Sequence, residues 1–262
     1  MSNSNYLFDN AASEARQRFG ALSALFDPTT FRHIEALNIG QGCRCWEVGA
    51  GGPTVSNWLA DRVGASGRVL ATDINTSWVS EHLDHTVEVL QHDVTHDDPP
   101  AGQFDLVHAR LVLSHLPARG KALRRMVASL RPGGWLLVED FDKVIPVRCI
   151  DAYLPEHHRA NKLHAGVYAL LAQRGADLEY ARRLPRIFRD AGLTQIGADA
   201  YLPVAIPAGN VLSVANITQV RDALIEQQLA TEDEIDAHVA AIADATITVG
   251  TLPLISAWGQ RA

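Results

Sequence analysis

The sequence predicts an α/β protein built on a doubly wound, mostly parallel sheet of seven strands. Two observations carry this. Apolar runs of strand length alternate with segments of helical periodicity, the pattern of right-handed βαβ crossovers. Charged and small residues gather where those runs end, at 47–52, 73, 93, 108–110 and 139–142. Open α/β sheets bind ligands outside the carboxyl ends of their strands.

Taken in order, the spacing predicts helices over 10–19 and 29–37, with "DPTT" (27–30) between them as turn and N-cap. "RCWEVGA" (44–50) reads as a buried strand and "TVSNWLADRVG" (54–64) as a helix stopped by Gly64. "GRVLATDIN" (67–75) is a second strand, "SWVSEHLDH" (77–85) a short helix and "TVEVLQHDV" (86–94) a third strand. A fourth, "FDLVHARLVL" (104–113), passes into helical sequence near Arg110, and "ARGKALRRMVASL" (118–130) is an amphipathic helix. "RPGG" (131–134) is a turn before the fifth strand, "WLLVEDF" (135–141). Helices follow over 151–174 and 178–191, the latter bent or broken by Pro185. A sixth strand covers 193–206, helices cover 209–229 and 231–244, the second opened by "TEDE", and 246–261 is the last strand. Pro253 would confine that strand to an edge or a bulge.

The 262 residues suffice for one α/β domain with added structure. We read a single domain, 1–262, with its core at about 40–145. The helices of 1–40 and segments 150–190 and 207–245 are expected to cover the substrate. A net charge of −7 weighs against nucleic acid, whose phosphates demand a basic face. The clusters "RGKALRR" (119–125) and "ARRLPRIFR" (181–189) read as solvated helix faces. Cys43, Cys45 and Cys149 form no even disulfide framework, which fits a reducing cytoplasm. The amino-terminal residues lack signal-peptide character, and no apolar run reaches the roughly 20 residues of a membrane span. The expected partner is a small molecule rather than a membrane or nucleic acid.

The stretch "CWEVGAGGPTVSNWLA" (45–60) poses the chemical question. Gly49 and Gly51 match the first two glycines of a dinucleotide G-x-G-x-x-G loop, but the third position is Thr54. Glu47 would repel a pyrophosphate and welcome an amino group. S-adenosylmethionine (SAM) carries an amine, a carboxylate and a sulfonium, and no phosphate. Bare backbone at Gly49 and Gly51 would let its methionine portion approach, and helix amino-terminal amides would favour its carboxylate. Asp73 stands where both cofactor classes grip ribose hydroxyls, or caps the next helix. Asp93 could accept from an adenine amino group while the Val94 amide donates to the ring, or it is a turn aspartate within "HDVTHDD" (92–98).

"WEVGAGG", "VLATDIN", "QHDV", "FDLVHARLVLSHL" and "LRPGGWLLVED" resemble, in order, the successive motifs of class I SAM-dependent methyltransferases of the small-molecule group. The resemblance runs over about 20–142. It implies the fold, SAM as cofactor with S-adenosylhomocysteine as product, and a placement of residues. Glu47, Gly49, Ala50 and Gly51 would hold the amino-acid end, Asp73 the ribose with Ile74 against adenine, and Asp93 with Val94 the adenine edge. His108, Ala109 and Arg110 would lie along the methionine portion, where Arg110 could pair a carboxylate. One departure is Pro53, where the family has a third glycine; proline fits the first helical turn but removes one donor.

Methyl transfer from a sulfonium is an in-line displacement that needs alignment and desolvation, and a base only if the acceptor must lose a proton. Candidate bases are His115, in "LVLSHLP", Asp140, beside Glu139 and Asp142, and His157, which shares a helix face with Asn161 and His164. No metal site is assigned, since too few oxygen ligands converge. The expected activity is methylation of an oxygen, nitrogen or carbon atom of a small organic acceptor. Two alternatives stay open: an NAD(P)-binding oxidoreductase, and a non-catalytic module of the same fold.

Overall fold

The structure, a computed structural model, describes residues 7–8, 13–84, 86–144, 155–204 and 206–262. Cys149, residues 10–12 and 151–154 of the predicted helices and position 205 of the predicted sixth strand lie outside the described residues. In chain order the elements begin α1 (Ser13–Ala36), β1 (Arg44–Val48), α2 (Thr54–Val63), β2 (Arg68–Asp73), α3 (Ser77–Ser80) and β3 (Val87–Gln91). Then come β4 (Phe104–Arg110), a 3₁₀ turn (Leu113–His115), α4 (Arg119–Ser129), β5 (Leu130–Phe141) and α5 (Pro155–Gln173). The rest are α6 (Tyr180–Asp190), β6 (Leu193–Tyr201), α7 (Pro207–Gln219), α8 (Arg221–Glu226), α9 (Glu232–Ala243) and β7 (Leu254–Arg261).

These elements form two compact units. The first comprises Phe26–Asp142, Glu179–Tyr201 and Leu254–Ala262 and contains the seven-stranded sheet, ordered β3-β2-β1-β4-β5-β7-β6. β1 to β5 pair in parallel, and β7 runs antiparallel to both β5 and β6. Side-chain alternation divides the core into two layers. Trp46, Val107, Leu136 and Val138 pack with Met126 of α4 and Leu184 and Phe188 of α6. Cys45, Val69, Leu106 and Leu137 pack on the other face with Ile34 of α1 and Val55, Leu59 and Val63 of α2. This is the doubly wound arrangement the sequence predicts.

The structure corrects the reading of "DPTT". No turn divides residues 13–36; α1 is one helix with Pro28 inside it. An interior proline costs a helix about 3 kcal/mol. Burial offsets that cost, because Phe26 is fully enclosed, edge-on to Phe141 and Tyr201, and Ile34 is enclosed below it. Pro253 is a second correction. β7 is an interior strand, and it begins at Leu254, so the proline falls just outside the ladder rather than at an edge or bulge. The predicted turn at "RPGG" is a break in register, since Phe104 pairs with Leu130 and Leu106 with Trp135. The predicted helix over 209–229 is two helices, α7 and α8, parted at Val220.

The second unit comprises Lys143–Leu178, Leu202–Pro253 and the described residues up to Leu25. Leu163, Val167 and Leu170 of α5 pack with Ile217 of α7, Leu224 of α8 and Ile235 of α9 around one apolar centre. The "TEDE" signal opens α9 as a capping box: Glu234 N–H donates to Thr231 Oγ1, and Thr231 N–H to Glu234 Oε2. No described helix is long and apolar enough to cross a membrane.

Trp46 is the largest fully enclosed side chain of the sheet, and its indole N–H donates to Thr72 Oγ1 at 2.9 Å. Trp46→Ala is expected to lower unfolding free energy by about 3–5 kcal/mol in urea titrations. A change under about 1 kcal/mol would mean that the site collapses around the lost ring.

Candidate functional site

Adjacent strands bring most of the predicted cofactor residues to one end of the sheet unit. Val48 pairs with Thr72 and Ala109, Glu47 with Ala71 and His108, and Asp73 with Gln91. The loops that follow β1, β2, β3 and β4 therefore leave side by side, carrying Gly49–Gly51, Ile74, Asp93–Val94 and the turn after Arg110.

Gly49 has a positive φ of 75°. A Cβ there would meet Val112 Cγ2 at 2.3 Å, so the position needs glycine on two counts. Gly49 and Ala50 N–H groups donate to Thr72 C=O at 2.7 and 2.9 Å, and Gly51 N–H to Gly49 C=O at 2.8 Å. These amides are used within the loop; what remains for an anion is the first turn of α2. Pro53 is the N-cap residue of that helix, with its carbonyl accepting from Asn57 N–H at 2.9 Å. Its missing donor costs no intrahelical bond.

Glu47 is buried and receives a hydrogen bond from Ser56 Oγ of α2. Burial pushes its carboxyl pKa up, and the nearby charges of His108 and Arg110 only partly counter this. Asp73 is also buried and also shifted up by burial, although Asn75 N–H donates to its Oδ1 at 2.9 Å. It is not the cap of α3, whose N-cap is Thr76. Ile74 beside it is a large apolar residue left 49% exposed. Asp93 is tied into its own turn: Oδ1 accepts from Thr95 N–H at 2.7 Å, and Oδ2 lies 2.8 Å from His96 Nδ1. Val94 is buried in the core, with its carbonyl accepting from Arg125.

His108 and Arg110 join a second buried constellation. Glu139, fully enclosed at the end of β5, accepts from Thr30 Oγ1 at 2.5 Å and from Ser256 Oγ at 2.6 Å. His108 Nε2 lies 3.3 Å from its Oε2, and His33 Nδ1 3.6 Å from its Oε1. Arg110 donates to Thr30 Oγ1 at 3.0 Å and pairs with Asp27 at 2.8 Å, so the guanidinium is already engaged. Burial opposes ionisation of Glu139, but the hydrogen bond from His108, the approach of His33 to 3.6 Å and the charges of His108 and Arg110 outweigh it and hold the carboxyl well below its ordinary range. His33 moves the other way; burial would lower it, yet Glu139 and Asp199 raise it. Sequence reasoning missed Asp27, Thr30, His33, Ser56 and Ser256.

The proposed bases part company. Asp140 faces the opposite side from Glu139, its Oδ1 accepting from Ser114 Oγ at 2.7 Å and its Oδ2 from Ser114 N–H at 2.9 Å. Asp142, outside the strand, pairs with Arg182 at 2.8 Å, so the 181–189 cluster is not wholly a solvated face. His115 ends the 3₁₀ turn, half-buried, with its N–H donating to Val112 C=O. His157 belongs to the helical unit, buried on the α5 face that also carries His164. There Ser213 Oγ lies 3.0 Å from both His164 Nε2 and His238 Nε2. Burial, with the charge of Arg159, pushes His238 down to about 4.

The sheet order, the single antiparallel strand and the glycine turn after β1 define a class I methyltransferase fold. A sequence profile described as a methyltransferase domain matches residues 12–196, and the chain belongs to that methyltransferase family. Methyltransferase str3 of Strobilurus tenacellus is 36% identical over 110 residues, 42% of this chain and 39% of that protein. The chain thus spans about two fifths of the length of that curated relative. Among solved structures, the cyclopropane-fatty-acyl-phospholipid synthase-like protein of Lactobacillus casei superposes with a TM-score of 0.58 at 17% identity, covering 98% of this chain and 97% of that one. Haemonchus contortus phosphoethanolamine N-methyltransferase 2, in complex with phosphomonomethylethanolamine and S-adenosylhomocysteine, gives a TM-score of 0.51 at 14% identity, over 94% of this chain and 52% of that one.

The two opposite shifts at Glu139 and His33 set a pH dependence. A carboxyl lowered on folding stabilises above its unfolded pKa, and the benefit is lost as pH falls. An imidazole raised on folding stabilises below its unfolded pKa, and the benefit is lost as pH rises through the folded value. The pair's contribution is therefore greatest between the ordinary values of 4.5 and 6.5. Glu139→Gln should cost about 3–5 kcal/mol there and flatten both limbs of a stability–pH curve measured by urea unfolding. An acid limb as steep as that of the parent would refute the assignment.

Proposed function

We propose that the protein is a SAM-dependent methyltransferase that methylates an oxygen, nitrogen or carbon atom of a small organic acceptor. The observation that carries the reading is the convergence of a glycine turn, a buried unpaired-for-charge carboxylate at Glu47 and a buried Asp73 beside exposed Ile74, on neighbouring strand ends. The cradle fits the cofactor. Any side chain at Gly49 would collide with Val112 and distort the turn. Among the described residues Glu47 has a hydroxyl but no cation in hydrogen-bonding contact, which suits an ammonium. Asp73 keeps acceptor capacity beyond its bond to Asn75, since a carboxylate offers about four lone-pair sites. The family match supports this reading over a nicotinamide enzyme, as does Thr54 where a third glycine would stand.

When bound, the cofactor supplies an activated methyl group on a sulfonium. The chain's own residues then bind, orient and exclude water. Glu47 holds the amino group, Gly49, Ala50 and Gly51 permit close approach of the amino-acid end, and the amino terminus of α2 favours its carboxylate. Asp73 holds the ribose hydroxyls, and Ile74 covers one face of the base. Asp93 and Val94 form the adenine edge, with Thr95 and His96 fixing the Asp93 carboxylate. The His108 and Ala109 side chains are fully enclosed, so the backbone of His108 to Arg110 runs along the methionine portion, and the Glu139 constellation fixes His108 and Arg110. Of the candidate bases, Asp140 orients the turn through Ser114, while His115 is the one in the sheet unit left to take an acceptor proton. The single-domain reading, with core 40–145 and the remaining helices selecting the acceptor, and a cytoplasmic setting belong to the same proposal.

Asp73→Ala should weaken S-adenosylhomocysteine binding by about 1–3 kcal/mol in calorimetry, the cost of leaving buried hydroxyls unpaired. Unchanged affinity would remove the ribose assignment. A second measurement concerns Glu47, whose raised pKa an ammonium would pull back down. Binding should then release protons, seen as a dependence of binding enthalpy on buffer ionisation heat, and Glu47→Gln should abolish the release. Proton uptake instead would contradict the placement of the amino group.

A further inference from the structure

A cavity of about 480 Å³ lies within the sheet unit, away from the glycine turn. Its walls are His33 and Ala36 of α1, Trp135 of β5, Asp199 and Gln195 of β6, and Trp258 of β7. Trp135 is in register with Leu106, and Leu106 with Cys45, three residues before the end of β1. Three residues of strand are about 10 Å, and β4 stands between β1 and β5. The cavity is therefore a place of its own, with a volume inside the range of about 300–1,000 Å³ used by small-molecule sites.

Several features hold it open. β6 slips register between Thr194 and Gly197, a bulge that sets Gln195 at φ 47°. Asn38, also on the wall, has φ 58°. Among the described residues five non-glycine positions have positive φ, and two of them border this one cavity. At Asn38 this is the left-handed turn that ends α1, which asparagine adopts readily; at Gln195 it costs about 1–3 kcal/mol, and such backbone gathers where a ligand is held. Trp258 lies against Gly197, where a Cβ would meet its ring at 2.5 Å. The bulge at Gln195 and the seat of Trp258 on Gly197 shape this wall.

The polar side of the cavity is matched within itself. Asp199 is 3.0 Å from both Arg32 and His33 Nε2, and His33 backs onto Glu139. With its charges paired, this wall favours a neutral guest that exchanges hydrogen bonds. The indoles favour a flat one.

We propose that this cavity is a binding site for a neutral, planar aromatic or heteroaromatic small molecule, stacked on Trp135 and Trp258 with its polar edge at His33 and Asp199. The site is independent of the methyl-donor reading, because its walls and its test involve no residue of the glycine turn. The probe is quinoline, titrated against the full chain and followed by ligand-observed NMR and tryptophan fluorescence. Saturable binding at or below a Kd of about 1 mM is expected, with Trp258→Ala weakening it about tenfold or more. If Trp258→Ala fails to fold, Ala36→Phe replaces it: Ala36 is exposed near the end of α1, and a phenyl ring there narrows the cavity without removing core contacts. Absence of saturation at several millimolar quinoline, or a folded Ala36→Phe protein that binds as tightly as the parent, overturns the proposal.

Discussion

The sheet unit depends on one buried carboxylate. A charge as enclosed as Glu139 is tolerated only when hydrogen bonds and opposite charge surround it. Its partners come from α1, β4 and β7, namely Thr30 and His33, His108, and Ser256. These elements are distant in sequence, so satisfying one side chain fixes all of them against the end of β5. The same demand accounts for the continuity of α1 through Pro28. Ending the helix there would misplace Thr30 and His33 and strand the carboxylate.

Glu47 makes the contrast. It stands on β1, in register with His108, and is buried like Glu139, yet its pKa moves in the opposite direction. Glu139 has two imidazoles at close range, whereas among the described residues Glu47 has the Ser56 hydroxyl in hydrogen-bonding contact. One carboxylate is complete within the fold, and the other is poised for a cation. Two acids of one type thus take a structural and a ligand-holding part through surroundings alone.

Most of the architecture was legible because it is local. Strand runs, the glycine turn and the capping box of α9 are written in neighbouring residues. The carboxylates at the strand ends were legible as positions but not as partners. Thr30 is 109 residues from Glu139 and Ser256 is 117, and no spacing rule reaches so far. A signal for α1 did exist: Asp27, Thr30 and His33 fall at three-residue intervals and so share a helix face, next to buried Phe26 and Ile34. "DPTT" masked it, since Asp, Pro and Thr in a row are strong turn chemistry that only tertiary contacts override. Asp140 was placed correctly at a strand end, but alternation sends it to Ser114 rather than toward Glu139.

The bulge that turns Gln195 aside has a further consequence for the lateral margins of the sheet. β6 and β3 are its outermost strands, and an outermost strand offers unpaired backbone to any other chain. In β6 the slipped register spoils that template; in β3 the Glu88–Arg68 ion pair does so. The irregularity that shapes a cavity thereby also discourages self-association by strand addition, and straightening it would be expected to make the protein sticky.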